Sequence, residues 1–512
     1  MSIKPLSLDS FLSDCKEKRV VSIVSEIFSG SESPVDVFDK LAKGKPGSFL
    51  LESAEQGVWS RFSFIGVDAR GQFLQDHRGL VRWTSVNGSG ALPADFDVEL
   101  SQDGLTALAQ IQSAWFTKPD SSEIPLLSGL VGHINWDVVA DLENIQVKIV
   151  DENPIPRIGF SMFRNLVVVD HHSSTLLFVS NVFVEGQNEV ELTKLYRSAI
   201  EDIEAMQADV SKASAPFLAQ VDLDIDPVAS SNVTKAAFLE MVAQAKQHVV
   251  KGDVFQVVLS QRFQAEVSVE PLAVYRILRA LNPSPYMYLI NGADEYGDYS
   301  IVGSSPEALV TVSGESVVTH PIAGSRPRGK DWDEDHRLET ELLADRKETS
   351  EHLMLVDLAR NDLLKVCQPN SVAVTEFMQV HRFSHIMHLV STVEGKLAMG
   401  LSPVDVFRAT FPAGTLSGAP KPRALEIIES LEPSARGLYG GVCGYFDFAG
   451  NADLAIAIRT ALIRSNLATV QAGAGIVLDS DPDSEFEETK SKARAILRAI
   501  SAANSAKRIG SL

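Results

Sequence analysis

Between about residues 24 and 181 the chain offers little except short apolar runs broken by Gly, Pro, Asn and Ser. GSFLLESA (47–54), WSRFSFIGV (59–67), GLVRWTSV (79–86) and NLVVVDHHSSTLLFVSNVFV (165–184) are rich in β-branched and aromatic residues and too short for helices. They read as strands, so this half of the chain must build sheet. NEVELTKLYRSAIEDIEAMQADV (188–210) follows with apolar residues at helical spacing and no internal Gly or Pro. Residues 211–232 are small, polar and without period, and mark the best boundary. Beyond it, helices alternate with strands. In NVTKAAFLEMVAQAKQHVVKGD (232–253), Phe238, Val242, Ala245 and Val249 share a face and Gly252 stands at the C-terminal cap position. VFQVVLSQRF (254–263) reads as a strand with Phe255, Val257 and Leu259 on one side and Gln256, Ser260 and Arg262 on the other. ALVTVSG (308–314), VVTHPIAG (317–324), GVCGYFDF (441–448) and LATVQAGAGIVLD (467–479) are further strands. Strands clustered early and helices set among later strands predict an α+β fold.

The chain has 512 residues, 45% of them hydrophobic, which suits two domains or one large one. A formal charge of −21 argues against nucleic acid and against anionic membrane surfaces. Cys15, Cys367 and Cys443 are far apart, with no CxxC, which fits a reducing compartment. With no signal-peptide pattern and no span-length apolar run, a soluble cytoplasmic protein is expected.

The carboxylates carry the first chemical signal. Asp481 can cap a helix beginning at Pro482, and on it Glu485 and Glu488 are three residues apart. Glu348 and Glu351 repeat the spacing at the start of the apolar segment HLMLVDLA (352–359). Either pair alone is an ordinary helix face, and Glu488 with Lys492 is an ordinary i,i+4 ion pair. If the two pairs converge, they form an oxygen-only cluster suited to Mg²⁺, with room for substrate oxygens. Gly473 and Gly475 precede the second pair and can hold a second anionic group by backbone N–H. Such a site takes a small dianion.

HPIAGSRPRG (320–329), ADRKETSEHLMLVDLARNDL (344–363), FSHIMHLVSTVEG (383–395), FPAGTLSGAPKPRALEIIESLE (411–432), GLYGGVCGYFDFAGNADLAIAIRTALI (437–463) and QAGAGIVLDSDPDSEFEETKSKA (471–493) together resemble the chorismate-utilising enzymes. Within them the likeness is to anthranilate synthase component I. The resemblance implies two large antiparallel sheets packed as a sandwich and flanked by helices. It implies an amino-terminal regulatory region over 1–215 and a chorismate-binding catalytic domain over 233–505. Glu351 and Glu488 match direct Mg²⁺ ligands, with Glu348 and Glu485 as outer carboxylates. His388, Glu307 (in GSSPE) and Thr415 match catalytic positions, with Glu307 the acid for the departing ring hydroxyl. Gly324, Ser325, Tyr439, Arg459, Gly473, Ala474 and Gly475 match substrate-binding positions. Arg459 also stands out unaided, since a charge inside the apolar run AIAIRTALI must be paired or used. Cys443 reads as a core strand residue.

Two positions choose among family members. Water-adding members carry a lysine base where this chain has Gln256, and aminodeoxychorismate synthases commonly carry a lysine where it has Ala323. Both point to the conversion of chorismate and ammonia to anthranilate and pyruvate. The alternatives are aminodeoxychorismate synthase component I and, from another class, an inactive chorismate- or tryptophan-binding regulator. Ser53, Pro285, Tyr286 and Met287 match the positions that contact tryptophan as feedback inhibitor. The departures are Ser325 for the usual threonine, and His133 and Trp136 for the usual tyrosines. No amidotransferase segment is recognisable, so a glutamine amidotransferase partner supplying ammonia is implied, in a heterotetramer of two large and two small subunits.

Overall fold

A computed structural model describes residues 5–30, 32–53, 61–86, 88–96, 98–118, 123–143, 145, 154–213, 217–382 and 386–508. The strands expected in the first half are present as Phe49–Glu52, Phe62–Gln75, Val81–Ser85, Ile158–Asp170 and Thr175–Phe183. Residues 54, 59, 60 and 383–385 of the quoted stretches lie outside the described residues.

The two-sheet expectation needs correction. Among the described residues, 21 strands join in a single antiparallel network, with only a two-stranded pair apart from it. The strand Phe62–Gln75 is the reason. At 14 residues it is long enough to serve both halves, pairing with Phe49–Glu52 near its start and with Val81–Ser85 near its end. Along its other edge runs Ile158–Asp170, with register shifts between Gly66 and Gly71 that let the strand bend without ending. Ladders also cross the expected boundary. Phe49–Glu52 pairs with Tyr286–Asp294, and Gly129–Ile134 pairs with Val442–Asp447. The α+β class stands.

Helices cover the network in two groups. Val35, Ile203, Leu278 and Ile500 belong to one buried cluster; Phe238, Val356, Phe407 and Ile427 belong to another. A third cluster is made mostly of strand side chains, among them Phe49, Phe163, Tyr288 and Ile301, and it includes the buried Cys443. Each such fully buried large side chain contributes roughly 1.5–3 kcal/mol.

Local signals set the helices that matter for the site. Pro482–Ser505 starts where Asp481 accepts a hydrogen bond from the Ser484 N–H. Arg346–Leu364 starts where Asp345 accepts from the N–H groups of Lys347 and Glu348. Lys235–Lys251 ends on Gly252 at φ +79°, as its sequence requires. Two expectations fail locally. Phe255 precedes its strand and is 74% exposed, and Leu353 projects to solvent from the helix whose Leu355 and Val356 are buried. No described helix is long and apolar enough to cross a membrane.

Candidate active site

The strand Gln256–Glu266 organises the site. Both its faces are covered through Phe263, so Gln256, Ser260 and Arg262 are buried rather than solvent-facing. Buried polar groups must find partners, and here each one reaches a different element. Gln256 Nε2 donates to Glu351 Oε1 at 2.9 Å. Gln261 Nε2 donates to Thr489 Oγ1 at 2.6 Å, one residue past Glu488. One strand therefore tethers the two carboxylate-bearing helices, which lie 137 positions apart between Glu351 and Glu488 in sequence.

Its neighbour Leu467–Ile476 carries the glycines. Gly473, Ala474 and Gly475 lie within this strand, as its sequence suggested, opposite Ser260, Leu259 and Val258. The strand Thr460–Arg464 pairs with this one only as far as Val470, so among the described residues the second edge of 471–476 has no strand beside it. Backbone groups on such an edge suit an anion. Close approaches explain the glycines. A Cβ on Gly473 would stand 2.7 Å from Tyr439 Oη, and one on Gly475 would stand 2.4 Å from Gln256 Nε2.

Lys492 ties this strand to the acidic helix. Its Nζ lies 2.7 Å from Glu488 Oε1 and donates to the Gly473 carbonyl at 3.0 Å. The pair that reads as an ordinary surface ion bridge is thus part of the site wall, and its second partner is invisible in sequence. Burial, followed by the Glu488 charge among the raising influences, pushes the Glu485 carboxyl upward; the hydrogen bond from Ser480 opposes this. Glu348 is likewise pushed upward by burial and then by Glu351, against Arg326 Nη1 at 3.7 Å. Among the described residues no three His, Cys, Asp or Glu side chains already enclose a cation position. The four carboxylates nevertheless fit a hard divalent ion in donor chemistry: oxygen only, in two like-charged pairs, reaching one strand from two helices.

Glu307 and Thr415 form the opposite wall. Thr415, on the short helix Gly414–Ser417, donates from Oγ1 to Glu307 Oε1 at 3.0 Å. Burial pushes the Glu307 carboxyl up to about 7, against the Thr415 bond and the charges of Lys492 and Arg459. Arg459 is not inside a strand. It occupies the break between Ala452–Ile456 and Thr460–Arg464 at φ +50°, and burial lowers its basicity while Glu307 restores part of it. Gly324, at φ +73°, is the bulge residue in the pairing of Ile322–Pro327 with Ile386–Lys396. Its carbonyl accepts from His388 Nδ1 at 3.1 Å, and a Cβ there would meet Glu348 Oε2 at 3.2 Å. Ser325 is opposite His388 in register and exposed. Burial holds the His388 imidazole below its usual range, and Arg459 adds to this.

The four positions matched to an effector also meet. Glu52 is opposite Met287, and continuing that register brings Ser53 beside Tyr286. Met287 is buried, and Pro285 lies just before the strand. Glu55 of LLESAE lies outside the described residues. His133 sits between Asn135 Oδ1 and Tyr299 Oη, each at 3.1 Å, and burial holds its imidazole down at about 4 against the Asn135 hydrogen bond. Trp136 lies under the Arg436 guanidinium at 4.4 Å. Both departures from the usual tyrosines are therefore packed core groups.

Comparison with known proteins places this geometry. A family model described as chorismate binding enzyme matches residues 49–498. The chain is 45% identical to the anthranilate synthase component 1 of Arthrobacter globiformis, over 97% of this chain and 93% of that protein. It is 45% identical to the protein of the same description from Mycobacterium tuberculosis (strain ATCC 25618 / H37Rv), over 95% of this chain and 94% of that one. The crystal structure of anthranilate synthase component I from Streptococcus pneumoniae TIGR4 superposes with a TM-score of 0.72 at 34% identity, covering 92% of this chain and 99% of that one.

Proposed function

The chain belongs to the chorismate-binding enzymes, within them to the anthranilate synthase component 1 proteins, and from that premise we propose how its residues convert chorismate and ammonia to anthranilate and pyruvate in tryptophan biosynthesis. The observation that carries the reading is the double tether of Gln256 to Glu351 and Gln261 to Thr489, which fixes both acidic helices to the strand that pairs with Gly473–Gly475. Glu351 and Glu488 would hold Mg²⁺, with Glu348 and Glu485 acting through water. The bound ion supplies positive charge for the ring carboxylate of a dianionic substrate.

Arg459 and Tyr439, with the open edge at Gly473–Gly475, receive the enolpyruvyl carboxylate; a guanidinium fork suits that group. Ammonia forms a bond to C2 while the C4 hydroxyl leaves. Glu307 gives that hydroxyl its proton, so it departs as water. The raised carboxyl suits a donor that must still carry its proton near neutrality, and the Thr415 bond fixes its direction. His388 donates from Nδ1 to the Gly324 carbonyl, which leaves Nε2 as its basic nitrogen. It is the group to take the C2 proton as pyruvate is eliminated and the ring becomes aromatic. Gln256 brings no base, and ammonia needs none.

Several further parts follow from the resemblance of the sequence motifs. A separate amidotransferase component supplies ammonia, in a heterotetramer of two large and two small subunits. Tryptophan inhibits from the Ser53, Pro285, Tyr286 and Met287 cluster. Residues 1–215 serve regulation and 233–505 catalysis, and the enzyme works in the cytoplasm. Incubating the purified chain with chorismate, Mg²⁺ and ammonium tests the reaction. Anthranilate fluorescence should rise directly, vanish with EDTA and fall with tryptophan. A product that becomes aromatic only after a lyase is added would instead mean 4-amino chemistry.

A further inference from the structure

Arg436 has no exposed side-chain area and forms an ion pair with Glu432 at 2.7 Å. Replacing a buried ion pair by apolar residues is commonly neutral or stabilising, so stability alone does not explain this one. Its donors have specific destinations. Nε donates to Glu432 Oε2 at 3.0 Å, Nη1 to the Leu416 carbonyl at 2.7 Å, and Nη2 to the Val258 carbonyl at 2.9 Å.

Those carbonyls lie where regular pairing fails. The strand Gln256–Glu266 has Gly475 and Gly473 opposite Val258 and Ser260 on one edge. On its second edge, Gly418–Ala419 pairs only with Gln256 and Val257, and Ser230–Ser231 pairs only with Phe263 and Gln264. Side chains serve the interval between. Arg436 takes the Val258 carbonyl, and the Ser260 N–H and Oγ both donate to Glu432 Oε1, at 2.7 and 2.8 Å. The Arg436–Glu432 pair thus stands in for a missing strand. Its other carbonyl partner, Leu416, is the residue after Thr415, whose hydroxyl holds Glu307. The guanidinium also lies 5.5 Å from the Tyr439 ring centroid.

We propose that Arg436 is a positioning residue for the reaction: one buried guanidinium, paired with Glu432, sets the distance between the Thr415–Glu307 wall and the Gly473–Gly475 edge across the substrate. This rests on the function proposed above. The two walls reach different ends of the substrate, so the fork fixes their separation while touching no reacting atom. A displacement of about 1 Å between such groups costs on the order of 100-fold in rate.

The test is the double variant Arg436→Met with Glu432→Gln, which removes both charges and strands neither. It should melt within ~5 °C of the parent. Its kcat with chorismate, Mg²⁺ and ammonium should fall ~30-fold or more. The alkaline limb of its pH profile should move to higher pH, because the Thr415 bond that favours ionised Glu307 slackens. A folded double variant with kcat within threefold of the parent and an unmoved limb overturns the proposal. If the double variant does not fold, Ser260→Ala decides. It removes one donor to Glu432 and the acceptor of the Gln471 amide, so it should melt a few degrees below the parent and, measured where both chains are folded, lower kcat ~5-fold; unchanged kcat in the folded variant overturns the proposal equally. A parent chain that forms no anthranilate refutes the reaction assignment instead, which keeps the two failures apart.

Discussion

Gln256 donates a 2.9 Å hydrogen bond to Glu351 while its amide nitrogen fills the space that a Cβ on Gly475 would need. The glycine is therefore spacing for the amide, and the amide is the orienter of a carboxylate. Three segments of the chain meet in that one contact.

Gly475→Ala should push the Gln256 amide off Glu351, because the added carbon would sit 2.4 Å from it and the strand backbone on which it grows is held by its ladder. A loss of ~10-fold or more in kcat/KM for chorismate is expected with the fold intact. Steady-state kinetics beside a thermal melt check this; parental kinetics would show that the contact is idle.

Glu351→Gln or Glu488→Gln should abolish Mg²⁺-dependent turnover, since each removes a charged oxygen donor from the cluster. The variants should keep the parent's circular dichroism and lose the Mg²⁺-dependent change in melting temperature. Full activity in both, with normal Mg²⁺ stabilisation, refutes the ligand assignment.

Glu307 links activity and stability to pH in the same sense, both declining as pH rises. Its carboxyl is held up to about 7 from the ordinary 4.5, so the folded chain binds this proton more tightly than the unfolded chain. This group's contribution to stability is therefore full below 4.5, declines as pH rises from there, and is lost above 7. Turnover that needs the proton should fall as pH rises through about 7. Glu307→Gln should cut kcat by ~10²-fold or more, yet melt ~1–3 °C above the parent at pH 8, with no difference below pH 4.5. A melting gap independent of pH would contradict this account.

Ser53→Ala should relax inhibition by tryptophan by ~10-fold or more without loss of synthesis. The register of Phe49–Glu52 against Tyr286–Asp294 brings Ser53 and Tyr286 together. Burial strongly raises the Tyr286 phenol, with Asp453 accepting its hydrogen bond. An inhibition curve superimposable on the parent's would remove Ser53 from the effector cluster.

What the sequence determined by itself is the local grammar and the inventory. Asp481 before Pro482 specifies a helix start, Gly252 specifies a helix end, and β-branched and aromatic runs such as 165–184 specify sheet. These depend on backbone groups and residues within one turn or one strand, so spacing suffices to read them. The motifs likewise named the carboxylates, Glu307, His388 and the glycines. Tertiary structure alone decided how they combine. Whether the sheet is one or two turned on the register shifts within Phe62–Gln75, which no periodicity encodes. That Arg459 stands in a break, that Gly473 lies against the Tyr439 hydroxyl, and that Lys492 reaches the Gly473 carbonyl are consequences of partners far away in sequence. The same holds for Arg436, whose two carbonyl partners, one on a strand lacking a neighbour there and one on a short helix, come together only once the chain has folded. Buried hydrogen bonds are local in space and not in sequence, and the site is built almost wholly from them.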